Sequence, residues 1–165
     1  MRKPITALDK KLIGLFAADG RLPLAEAASM AGVSRPTVTS RVKALVDGGV
    51  LRFAALVDAS RAGGLTVGLV GVKLDGHRLE ETVTRIADLD DVSWAAVVTG
   101  RYDIIAQIVT EGGMDGLYDF VNTGLDSVGG IASSEMFVVM KATGKWSSLP
   151  PGLLREWGAP ADANA

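Results

Sequence analysis

Between Leu24 and Leu45 the chain reads Leu-Ala-Glu-Ala-Ala-Ser-Met-Ala-Gly-Val-Ser-Arg-Pro-Thr-Val-Thr-Ser-Arg-Val-Lys-Ala-Leu, which predicts two short helices joined by a tight turn. Two helices crossing steeply over a short turn must approach closely, and the small Ala27 and Ala28 of the first allow it. Gly32 stands where the turn needs a conformation that glycine adopts at little cost. Ser34 opens the second helix: its hydroxyl can accept from a free first-turn amide, and Pro36 is tolerated because those amides lack intrahelical acceptors. Apolar residues at Val38, Val42, Leu45 and Val46 form an inward stripe. Pro36, Thr37, Ser40, Lys43, Ala44 and Asp47 then point outward, flanked by Arg35, Thr39 and Arg41. A polar helix face of this size fits a DNA major groove. Its expected contacts are Ser34, Arg35, Thr37, Thr39, Ser40, Arg41 and Lys43. Thr37 and Ser40 would meet base edges or phosphates, while Arg35, Arg41 and Lys43 mainly anchor phosphates, with either arginine a candidate for guanine. Taken alone, such a pair is more often an ordinary solvated surface helix, so the rest of the chain has to decide.

Charge is the first discriminator. Residues 1–65 hold 10 Lys and Arg against 5 Asp and Glu, whereas residues 66–165 hold 7 against 14, so a basic head precedes an acidic body. The overall charge of −2 hides this asymmetry, and phosphate attraction depends on local charge. The chain lacks cysteine, which removes disulfides and cysteine-based zinc sites. It has no apolar run of signal-peptide or membrane-spanning length, so the expectation is a cytoplasmic protein with no membrane partner.

The first helix is expected to start at Thr6, which forms an approximate capping box with Asp9, and to carry Leu8, Leu12, Leu15 and Phe16 on its inner face. It ends at Asp19-Gly20-Arg21. After the helix pair, Val50 to Val57 reads as a short strand-like piece, which makes the head a winged helix-turn-helix. Ser60 to Gly64 reads as a linker. The expected division is residues 1–58 for this domain, 59–65 for the linker, 66–144 for a second domain and 145–165 for a tail.

From Thr66 the pattern is strand (to Leu74), helix (Leu79–Leu89), strand (Val92–Thr99), strand (Tyr102–Thr110), helix (Met114–Leu125) and strand (Ile131–Lys141). That βαββαβ order is ferredoxin-like, so the whole chain is expected to be α+β. Val97-Val98, Ile104-Ile105, Ile108-Val109 and Val138-Val139 place apolar residues on both sheet faces, yet both helices of this fold cover one face. A second subunit is the simplest cover, with Ala95, Gln107 and the glycines as the alternative that softens an exposed face. In the tail, Trp146, Leu153, Leu154 and Trp157 are apolar enough to form a short helix docked on a neighbouring subunit, or else a frayed end.

Leu8-Asp9, Asp19-Gly-Arg21, Ala31-Gly-Val-Ser34, Val38 with Arg41-Val42 and Leu45, Gly49-Val50, Thr99-Gly-Arg-Tyr-Asp103 and Gly130-Ile131 leading into Phe137-Val-Val-Met140 together resemble the Lrp/AsnC, or feast/famine, regulators. Each piece is weak, but their order over roughly residues 5 to 141 is specific. The resemblance implies a protein that binds double-stranded DNA and forms dimers, often octamers, with a small effector, commonly an amino acid, held between dimers. It implies effector contacts from Thr99, Gly100, Arg101, Tyr102 and Asp103 on one side and from Asn122, Ser134 and Met136 on the other. Gly100 would let backbone amides approach a carboxylate, and Asp103 would accept from an ammonium group. The sequence departs from the family at Met136, where threonine is common, at Asn122, where an acidic residue is common, and at Thr6, where aspartate is usual. The first two departures favour an apolar amino acid, or an effector that is not an amino acid, over a basic one. The loop from Gly100 to Asp103 reads equally as an ordinary strand-to-strand turn.

An enzyme is not expected. The single histidine, His77, offers neither a metal cluster nor a located catalytic triad, and reads as an ordinary surface imidazole. Glu80-Glu81 and Asp88 to Asp91 read as a helix N-terminus and a solvated turn, and no cofactor or metal site is expected. The enzymatic alternative is a tetrapyrrole (sirohaem-type) decarboxylase, since some of these resemble the same two modules, with His77 in the wrong region for it. A ligand-binding module that assembles without DNA is a third reading, and the intact helix pair argues against it.

Overall fold

Thr6 starts the first helix as the sequence predicts: its hydroxyl accepts from the Asp9 amide at 3.2 Å while the Asp9 carboxylate accepts from the Thr6 amide at 2.9 Å. The computed structural model describes residues 4–76, 78–143 and 150–156, and the chain divides into two compact units between Ala54 and Ala55.

The first unit packs α1 (Ala7–Ala18), α2 (Leu24–Ala31) and α3 (Arg35–Asp47) around Leu12, Phe16, Ala27, Ala28 and Val38. Ala27 and Ala28 are both buried, the close approach their size allows. Leu45 is buried and Val42 half-buried, but Val46 is 42% exposed. Val46 sits about 80° round the helix from Val38, beyond the edge of the buried stripe. The expected strand at residues 50–57 is reduced to a bridge at Val57. The Val50 and Leu51 amides both donate to the Leu45 carbonyl, at 2.9 and 3.1 Å, so they close the end of α3 and enter no ladder. Phe53 instead packs edge-on against Phe16, with ring centroids 5.4 Å apart.

The second unit begins with a short helical turn, α4 (Ala59–Ala62), inside the stretch read as linker. Its Arg61 and Ala62 amides donate to the Asp58 carbonyl, and Gly63 and Gly64 follow at φ +66° and +79°. Then come β1 (Thr66–Leu74), α5 (Leu79–Ala87), β2 (Val92–Val97), β3 (Ile104–Thr110) and α6 (Gly113–Asp119). A π-helical turn (Phe120–Leu125), α7 (Asp126–Val128) and β4 (Ile131–Val138) complete the repeat. The four strands are antiparallel in the order β2-β3-β1-β4, which is the ferredoxin-like arrangement.

Val70, Val72, Ile104, Ala106 and Ile108 form one sheet face, closed by Ile86, Leu117, Phe120, Leu125 and Val128. The π turn explains how one helical segment serves this core. Phe120 and Leu125, five residues apart, would point about 140° apart on an α-helix; the wider π turn with its i→i+5 bonding brings both inward.

The opposite sheet face carries Leu69, Gly71 and Lys73 on β1, Ile105, Gln107 and Val109 on β3, Trp94 on β2 and Glu135 and Phe137 on β4. Trp94 and Phe137 remain 41% and 44% exposed. Two residues expected to soften this face do not. Ala95 faces the helices, and Gln107 is buried, accepting from the Trp94 indole at 3.2 Å. In the tail, α8 (Pro151–Glu156) forms and docks on its own unit: Leu153 is buried, the Gly152 amide donates to the Asp90 carbonyl and Arg155 pairs with Asp90. Trp146, Trp157 and His77 lie outside the described residues. Among the described residues no helix is long and apolar enough to cross a membrane.

Candidate nucleic-acid interface and effector loop

The turn between α2 and α3 is built by Gly32 in the left-handed conformation, at φ 72°. The Val33 amide donates to the Ala28 carbonyl and the Gly32 amide to the Ser29 carbonyl, which together satisfy the end of α2. Ser34 then caps α3: its Oγ accepts from the Thr37 amide at 3.3 Å, with Pro36 in the first turn. Two of the groups counted as DNA contacts are thus tied to each other, since the Ser34 and Thr37 hydroxyls lie 2.8 Å apart.

The expected face divides three ways. Thr39 donates its hydroxyl to the Arg35 carbonyl at 3.0 Å, and Lys43 pairs with Asp47 at 2.8 Å; both groups stay exposed. Arg35 and Ser40 are exposed and make no side-chain hydrogen bond or ion pair among the described residues, so they present the most open donors. Arg41 is turned aside, its guanidinium 3.7 Å from the carboxylate of buried Asp9 on α1. Asp9 therefore holds both the α1 cap and Arg41. The α1 signal was legible in the sequence, but its reach to α3 was not.

The eight expected effector residues fall into two groups. Thr99 and Gly100 are exposed in the turn between β2 and β3, where Gly100 has φ +124° and needs glycine. The Tyr102 ring lies flat on Gly71, where a Cβ would stand 2.7 Å from ring atoms. Its phenol donates to Glu135, and Arg101 pairs with the same carboxylate at 3.1 Å while its guanidinium lies 5.4 Å from the Tyr102 centroid. That bond to Glu135, aided by desolvation, raises the phenol above its ordinary range, and Arg101 opposes the shift.

Asp103 has no idle oxygen. Oδ1 accepts from Lys73 Nζ and Oδ2 from the Leu74 amide, both at 2.9 Å, and these bonds hold the carboxyl below its ordinary range. An approaching ammonium group would have to share or displace Lys73.

Asn122, Ser134 and Met136 form the other group, on the helix-covered side. Asn122 is exposed on the π turn and donates to the Tyr118 carbonyl at 2.8 Å. Ser134, opposite Val72 in the ladder, is exposed. Met136 is half-buried against the core, and its sulfur fills the space over Gly68, where a Cβ would stand 2.8 Å away. Within one chain the two groups thus lie on opposite sides of the sheet. Sequence reasoning missed Lys73 and Glu135, the partners of the loop. The available signal was alternation: each puts a charge on the helix-free face of its strand.

Family models match the chain twice, an AsnC-type helix-turn-helix domain over residues 5–46 and an Lrp/AsnC ligand-binding domain over residues 67–146. A helix-turn-helix-type transcriptional regulator of Pyrococcus furiosus is 32% identical over 140 residues, covering 84% of this chain and 93% of the relative. Among solved structures, AsnC of Escherichia coli shares the fold with a TM-score of 0.67 at 23% identity, over 87% of this chain and 97% of that one. A transcriptional regulator of Neisseria meningitidis, solved in complex with L-Met, gives a TM-score of 0.69 at 22% identity, over 92% and 99%. With a helix-turn-helix unit whose α3 is capped and largely exposed and a ferredoxin-like unit matching the ligand-binding domain, the chain belongs to the Lrp/AsnC family of DNA-binding transcriptional regulators.

Proposed function

We propose that this regulator binds DNA as a dimer or higher assembly, with α3 of each subunit in the major groove, and that a small effector bound between dimers changes assembly or helix spacing. The observation that carries the reading is the exposed α3 face led by Arg35, Thr37 and Ser40, on a unit that keeps its own core. Two recognition helices must match half-sites about one helical turn, or a multiple of it, apart, so a small rotation between subunits changes affinity without altering any base contact. The effector-side residues Asn122, Ser134 and Met136 carry no formal charge, which favours an apolar amino acid over lysine or arginine. The L-Met complex of the Neisseria relative supports an amino-acid class. Naming in the relatives supports regulation over catalysis, and a cytoplasmic location follows from that role.

The test is a footprint of the protein on its own upstream DNA, with and without a panel of amino acids. A protected, regularly spaced pattern that shifts with leucine, methionine or phenylalanine is expected. No protection at physiological salt would remove the DNA-reading role, and tighter response to lysine or arginine would remove the effector assignment.

A further inference from the structure

A cavity of about 430 Å³ opens between the turn after β1 and the Gly129–Gly130 corner before β4, and none of the eight expected effector residues lines it. We propose that it is a second small-molecule site, taking a metabolite that carries a carboxylate or phosphate group.

The argument begins with Thr82. On α5 the inward stripe is Leu79, Thr82, Val83 and Ile86, so a hydroxyl occupies a position where the helix otherwise buries hydrocarbon. Thr82 is only 7% exposed and makes no side-chain hydrogen bond among the described residues. Leaving a buried hydroxyl unpaired carries the full cost of its desolvation. Yet no fully buried side-chain polar atom is orphaned among the described residues. The Thr82 oxygen is therefore not wholly sealed off, and Thr82 is one of the residues that line the cavity. It places a hydroxyl, able to donate and to accept, in the wall of that space.

Two guanidinium groups line the same space. Arg85 donates through Nη2 to the Ser127 carbonyl at 2.9 Å, a bond that holds the planar group in position and leaves its remaining N–H groups open. Arg78 approaches Glu81 only to 3.9 Å, beyond hydrogen-bonding reach, so its donors are not used up. A guanidinium fork matches the oxygen spacing of carboxylate and phosphate, and two arginines against the Glu81 and Asp75 carboxylates of the same lining leave donors for an oxyanion. Gly129 and Gly130, at φ +69° and +71°, form a wall that a side chain could occupy only under strain. Asp75 stands at that wall, its Oδ1 3.6 Å from where a Gly130 Cβ would be, and it supplies an acceptor for a hydroxyl or ammonium group on the same ligand. Leu74 and Val128 add apolar surface for a short carbon skeleton.

The experiment is calorimetric titration of the full chain at low ionic strength with succinate and, separately, with inorganic phosphate, which distinguishes the two oxyanion sources. Saturable binding of one of them with a dissociation constant on the order of 1 mM or tighter is expected. Arg85→Met should weaken it at least about tenfold. Thr82→Val, which keeps the shape of the α5 stripe and so preserves folding, should weaken it by roughly two- to tenfold. Asn122→Ala should leave it unchanged. Absence of saturation with both probes, binding indifferent to Arg85→Met and Thr82→Val, or binding lost in Asn122→Ala would each overturn the assignment. None of these outcomes bears on DNA recognition, so the proposed function stands or falls separately.

Discussion

Asp103 shows how one side chain can be read two ways. In the sequence it is a free carboxylate in a turn, fit to receive an ammonium group. In the structure it bridges two strand ends, taking Lys73 on one oxygen and the Leu74 amide on the other. Lys73→Met should therefore move the Asp103 carboxyl up toward the ordinary range without reaching it, because the Leu74 amide remains; a carbon-detected NMR titration of the carboxyl reads this directly. Since the folded carboxyl is held low, its contribution to stability is present above the ordinary carboxylate pKa, about 3.9, and is lost as pH falls through the folded value. Acid unfolding of the Lys73→Met protein should depend less on pH in that window than that of the parent. Tyr102 offers a companion test. Gly71→Ala places a methyl 2.7 Å from its ring and must displace it from Glu135, so the phenol should titrate closer to its ordinary value in an ultraviolet pH scan. An unmoved phenol would mean that the ring does not depend on Gly71.

Elements whose cause is local are the ones the sequence makes legible. Ser34 illustrates it: an acceptor at the head of α3 binds the amide three residues on. Ser34→Ala should lower stability by about 1 kcal/mol, and Ser34→Asp should hold it near the parent value, both read as shifts in the thermal midpoint of the helical signal. A drop in DNA affinity in Ser34→Asp without a stability change would separate a phosphate contact from the cap. The Thr6–Asp9 box and the Gly32 turn are equally local in origin, which is why capping residues locate them. Three features had causes lying further away. The π turn arises because Phe120 and Leu125 must share a core with α5 and the sheet, a demand that no window within the segment reveals. The strand expected at 50–57 fails since an extended piece needs a ladder partner, and the amides at its start are claimed by Leu45. For the candidate site, the loop residues were legible as a motif, but Lys73 and Glu135, 30 and 34 residues from Asp103 and Arg101, meet them only through strand pairing.

For the whole molecule the open sheet face and the basic first unit make one joint prediction. Trp94 and Phe137 stand partly exposed beside half-buried Leu69 and Ile105, an apolar face that a second copy would cover. If that face joins subunits, Phe137→Glu places two carboxylates in the interface, and the protein should sediment as a monomer at concentrations where the parent is a dimer. The electrostatics of DNA binding then follow. Phosphate neutralisation releases counterions, so the slope of log affinity against log salt counts the phosphates contacted, about 0.9 per contact. Removing Arg35, whose donors are open on α3, should take roughly one contact from each subunit and so reduce the slope of a dimer by about two. Phe137→Glu changes no residue of α3, yet by leaving a single α3 per particle it should cut the slope roughly in half. A monomer with the parent slope would show that one subunit already makes all the phosphate contacts. A dimer that survives Phe137→Glu would move the assembly surface off this sheet face.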